Sequence, residues 1–65
     1  MTQDKGGARG QAIRELYQRG ITAMRQGRYD EAVADFDQVL ALDPNQPEAR
    51  AALNRAKIAL AKSTK

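Results

Sequence analysis

Large apolar residues recur along the chain in steps of three and four. Between Gln11 and Gln26 they fall at Ile13, Leu16, Tyr17, Ile21 and Met24, a spacing that collects them on one stripe of an α-helix. Gly20 and Ala23 share that stripe, and small side chains there let a second helix approach closely. A second stripe follows at Tyr29, Ala32, Val33, Phe36, Val39 and Leu40. A third runs through Ala49, Ala52, Leu53, Ala56 and Leu60; it is mostly alanine, and Ile58 lies off it. No segment alternates apolar and polar residues with β-branched enrichment, so no strand is expected. The pattern predicts an all-α, antiparallel three-helix domain, because connections this short join neighbouring helices head to tail.

Local chemistry marks where the helices stop and start. Gly27 suits the left-handed position just past a helix end. Arg25 and Arg28 sit near the negative end of the first helix dipole, and Asp30 and Glu31 near the positive end of the second. Asp30 is also placed to cap free amides. Pro44 disfavours the helical conformation at Asp43, so the second helix ends there or just before, with Leu42 expected to fold back over the end of the core. Pro47 fits a first helical position, where its missing N–H has no partner to lose. Residues 1–10 read as a flexible tail, 11–46 as a helical pair, and 47–65 as a third helix whose last residues fray. The tail contains "GGARG", but without a lysine–serine ending or a preceding strand it does not make a phosphate loop.

The second helix and its borders resemble the tetratricopeptide repeat, a helix–turn–helix unit of 34 residues. The resemblance spans residues 13–46. Leu16 stands on the repeat's large hydrophobic site, Gly20 on its glycine, and Tyr29 on the aromatic before the second helix. Ala32 takes the small site, Phe36 the aromatic one turn later, and Pro44 the terminal proline. Val39, Ala23 and Arg19 depart from the usual alanine, tyrosine and leucine. Gly27, Tyr29, Ala32 and Phe36, followed eight residues later by Pro44, form a fairly specific constellation. In the repeat, Gly20 and Ala32 allow close packing, Tyr29 and Phe36 fill the wedge between helices, and Pro44 sets the angle of the next helix. Residues 47–65 look like the capping helix that closes such arrays, since a shift of 34 residues replaces Leu16, Gly20 and Ala23 with Arg50, Asn54 and Lys57.

The resemblance implies a non-catalytic protein–protein interaction module, a scaffold or adaptor presenting a helix-lined groove to a peptide or partner protein. It also leaves open a self-assembling structural unit or a minimal engineered scaffold. A family mechanism in which two carboxylates are clamped by lysine and asparagine does not carry over, because the matching positions are Tyr17 and Ile21.

Composition narrows the chemistry. The 65 residues include 27 apolar ones, of which 12 are alanine, so few large side chains are available for a core. Chains of this size bury only about 60% of their unfolded surface and usually need a staple. There is no cysteine and no histidine, so a disulfide, a thiolate metal site and an imidazole base are all missing. No catalytic residue, metal site or cofactor is expected. The polar N-terminus has no apolar signal core, no run approaches a membrane span, and a cytoplasmic location is the expectation.

Charge is segregated. Residues 9–28 hold five arginines and one acid, residues 29–49 six acids and no base, and residues 50–65 five bases and no acid. One reading is internal: an acidic helix between two basic ones gains modest Coulomb energy. The other uses the repeat's geometry, in which the first and third helices line one groove. Arg14, Arg50 and Arg55 are then candidates to hold an acidic segment or a terminal carboxylate, for which the guanidinium fork is suited. The net charge of +3 also invites nucleic acid. However, the three aromatics belong to the core stripes and leave none to stack on bases, so nucleic acid is not expected as a partner; nor is a membrane, since the basic helices have weak, alanine-rich apolar faces. Ile21 and Ile58 are candidates for contact with a second copy if the core leaves them outside.

Overall fold

The computed structural model describes residues 4–63, with side chains described from Arg9 onward. Three helices follow one another: α1 (Asp4–Arg25), α2 (Tyr29–Leu42) and α3 (Pro47–Ser63). α2 lies in the middle and packs on both neighbours, whereas α1 and α3 barely touch.

The turn between α1 and α2 is built by Gly27 at φ 81°. The Arg28 amide donates to the Ala23 carbonyl at 2.8 Å and the Gly27 amide to that of Met24 at 3.1 Å. This paired closure ties off orphan carbonyls at the end of α1, and it requires a residue free to adopt positive φ. Arg28 is the N-terminal cap of α2 but offers no side-chain bond. Asp30 accepts only the neighbouring Glu31 amide, at 2.8 Å.

The second turn is organised by Asp43. Its amide donates to the Val39 carbonyl at 2.8 Å. Its carboxylate accepts from the Asn45 amide at 3.1 Å and from Gln46 Nε2 at 3.3 Å. A short acidic side chain that bonds the backbone two residues on makes a tight turn without glycine. Pro47 then opens α3, and Arg50 closes the first turn on the Gln46 carbonyl at 3.0 Å.

The core is thin. Phe36 and Val39 are the large side chains fully buried, and alanines fill much of the rest: Ala23, Ala32, Ala49, Ala52 and Ala56. Phe36 lies against Gly20 of α1, so close that no side chain has room there. Its ring also meets Tyr17, with centroids 5.7 Å apart and planes tilted by 55°, a favourable geometry for an aromatic pair. The partner of Phe36 is therefore Tyr17, while Tyr29 is only half-buried at the start of α2.

Two expectations need correcting. α1 begins at Asp4, not Gln11, so residues 4–10 of the expected tail are helical; residues 1–3 lie outside the described part. No proline interrupts this stretch, and glycine weakens a helix without forbidding it, so the backbone ladder propagates outward from the packed segment. Leu42 does not close over the core but is 37% exposed. It stands two residues past Leu40, which turns it to the other side of the helix. At the other end Lys62 and Ser63 remain helical, and residues 64–65 lie outside the described part.

Candidate partner-binding groove

On one side of the layer, α1 and α3 face each other across the edge of α2. Tyr17, Ile21 and Met24 recur at helical spacing along α1 and pack partly against the core, leaving their outer surfaces as the floor of a groove. Ala51 and Ala52 of α3 complete the floor, and Arg25, Glu48 and Arg55 form its rim, enclosing about 410 Å³. At Tyr17 the groove runs into a second depression of about 340 Å³, bordered by Ile13, Arg14, Asp43, Gln46 and Glu48.

The three arginines expected to share a groove are divided. Arg14 and Arg55 line connected surfaces that meet at Tyr17. Arg50 instead lines a separate hollow of about 250 Å³ with Pro44, Asn45, Gln46 and Pro47. Five residues turn a helix by about 140°, so Arg50 and Arg55 cannot both face α1.

Two rim residues escaped the sequence reading. Arg25 lies eleven residues after Arg14 and Glu48 seven before Arg55, spacings that return to nearly the same helical face. That periodicity among charged residues could have found them. Arg14, Arg25, Arg55 and Glu48 make no ion pair among the described residues. The ion pair found there, Arg28 with Glu31 at 3.7 Å, joins two exposed side chains of the first turn. The alternation of basic, acidic and basic helices is thus not drawn into contact between helices.

A different cleft, of about 500 Å³, opens between α1 and α2 on the other side. It is bordered by Glu15, Gln18, Arg19 and Thr22 of α1 and by Glu31 and Asp35 of α2. Its character follows from the 34-residue period. In α3 the residues that seat the helix on α2 are Ala49, Ala52, Leu53 and Ala56. Their counterparts 34 positions earlier are Glu15, Gln18, Arg19 and Thr22. The face of α1 on which a preceding helix would sit is polar.

Ile21 is half-buried in the groove floor, and Ile58 is 56% exposed on the far side of α3 from α2. Among the described residues no group of three potential ligands is gathered for a metal ion, and no helix is long and apolar enough to cross a membrane. Residues 13–46, just over half of the chain, match the family model described as tetratricopeptide repeat. No curated protein and no solved structure matches the chain.

Proposed function

The chain belongs to the tetratricopeptide repeat family, whose repeats generally mediate protein–protein interaction, and from that premise we propose that this domain is a non-catalytic module holding a segment of a partner protein between α1 and α3. The observation that carries this reading is an apolar floor of Tyr17, Ile21 and Met24 beside three arginines, Arg14, Arg25 and Arg55, that make no ion pair among the described residues. Carboxylates of a bound segment supply what the guanidinium groups of Arg25 and Arg55 lack.

The polar ends of the layer support the groove over self-stacking. A second copy placed before α1 would cover Glu15, Gln18, Arg19 and Thr22. One placed after α3 would cover Arg50, Asn54 and Lys57, the counterparts of Leu16, Gly20 and Ala23. Burying such groups without matched partners is unfavourable, and Ile58 alone offers little area in return. Nucleic acid is supported less, since Phe36 is fully buried and Tyr17 is engaged with it.

A titration of the ¹⁵N-labelled protein with an acidic, leucine-containing peptide tests the reading. Shifts should map to amides of α1 and α3 around Tyr17, Ile21 and Ala51, and should vanish in an Arg25→Glu/Arg55→Glu variant that keeps a folded spectrum. Shifts confined to the α1–α2 cleft, or none, would overturn it.

A further inference from the structure

α1 and α3 both run antiparallel to α2 and so point the same way, which gives the groove two unlike ends. At the end formed by the early part of the groove stand Arg14, Asp43 and Glu48, one base against two acids. At the other stand Arg25 and Arg55, two bases. Between them the lining is apolar: Tyr17 and Ile21 from α1, Ala51 and Ala52 from α3. We infer that this groove is electrically polarised along its length and selects a segment with separated charges, basic at one end, apolar at the centre and acidic at the other. The inference rests on the groove reading above and names its partner.

The spacing makes the ends distinguishable. Arg14 and Arg25 are eleven residues apart on α1, about 16 Å along the axis, and Glu48 and Arg55 seven residues apart on α3, about 10 Å. Both distances exceed the screening length of about 8 Å at physiological ionic strength. A charge bound at one end therefore responds to that end and not to the average of the groove. At roughly 3.3 Å per residue, an extended segment covers the Glu48–Arg55 interval with two residues between its opposite charges. Asp43 is held in place by its bonds from Asn45 and Gln46, so the acidic end is fixed by the turn itself. Glu48 lies on the exposed rim with no ion pair among the described residues, and it is the group through which this end would discriminate.

Two capped heptapeptides provide the test. One carries a lysine, two central leucines and two aspartates at the far end; the other has aspartate in place of the lysine. In a heteronuclear NMR titration the separated-charge peptide should bind about fivefold tighter, as expected when one exposed attraction replaces one repulsion. Glu48→Lys should reverse the order, and Glu48→Gln should abolish the preference without reversing it. Spectra of both variants report whether they fold. Equal binding of the two peptides, or tighter binding of the all-acidic one, would sink the polarity while leaving the groove reading in place. Absence of shifts in the groove with either peptide would remove both.

Discussion

Gly20 and Phe36 compete for one volume: a methyl group on Gly20 would lie 2.5 Å from Cε1 and 2.6 Å from Cζ of the Phe36 ring. These distances are well inside carbon–carbon contact, and Phe36 is fully buried. The closest approach of α1 to α2 is thus set by the absence of a side chain on one helix and the presence of a ring on the other.

Gly20→Ala should destabilise the domain despite alanine's better helix propensity. Propensity favours the substitution by about 1 kcal/mol, whereas overpacking costs typically about 1–3 kcal/mol. The expected net loss is up to about 2 kcal/mol, read by thermal denaturation followed by circular dichroism. Combining it with Phe36→Leu should recover part of the loss, the coupling that contacting residues show. A rise in melting temperature for Gly20→Ala alone would refute the packing argument.

The other described glycines should respond differently. Gly27 has open space around its Cα but a φ of 81°, so Gly27→Ala meets backbone strain of about 1–2 kcal/mol. Gly10 lies within α1 with no atom near a would-be Cβ, so Gly10→Ala should stabilise by about 0.5–1 kcal/mol. Opposite signs at Gly10 and Gly27 in the same melting assay are the outcome to look for.

The polar ends predict a monomer. Sedimentation across a wide concentration range should give one mass, and the melting temperature should not depend on concentration. Ile58→Glu should change neither. Giving α1 the residues that α3 buries, through Glu15→Ala, Gln18→Ala, Arg19→Leu and Thr22→Ala, should create an apolar face and induce association. A wild-type chain that dimerises, and dissociates on Ile58→Glu, would contradict this account.

Arg50 and Arg55 should part company in binding. Arg55→Glu and Arg25→Glu should each weaken an acidic segment by about threefold or more, the scale of an exposed ion pair. Arg50→Glu, on a different side of α3, should leave affinity nearly unchanged in the same titration. Equal losses at Arg50 and Arg55 would show that the segment does not lie between α1 and α3.

Much of this fold was legible because its boundaries are set by local chemistry. Gly27 needs its left-handed conformation, Pro44 stops α2, and Pro47 opens α3, so α2 and α3 could be placed almost to the residue. The start of α1 was not legible, since residues 4–10 carry no packing signal and composition alone favoured a tail. Leu42 was misread because apolar character does not say which side of a helix a terminal residue faces. The groove was legible only in part. Two groove arginines, Arg14 and Arg55, could be named from the charge pattern and the repeat's geometry. Separating Arg50 from Arg55 and adding Arg25 and Glu48 depended on the rotation of each helix about its axis. That rotation is fixed by contacts such as Gly20 against Phe36 and Tyr17 against Phe36, which join residues distant in sequence.

The alanine seat of α3 gives the molecule unequal lifetimes. α1 and α2 are locked by a ring in a notch, while α3 rests on Ala49, Ala52 and Ala56 with Leu53 as its main anchor. An element held by so little apolar area is where local opening begins. One wall of the groove is therefore the first part of the domain to let go, and a segment held as proposed can stay no longer than α3 stays on α2.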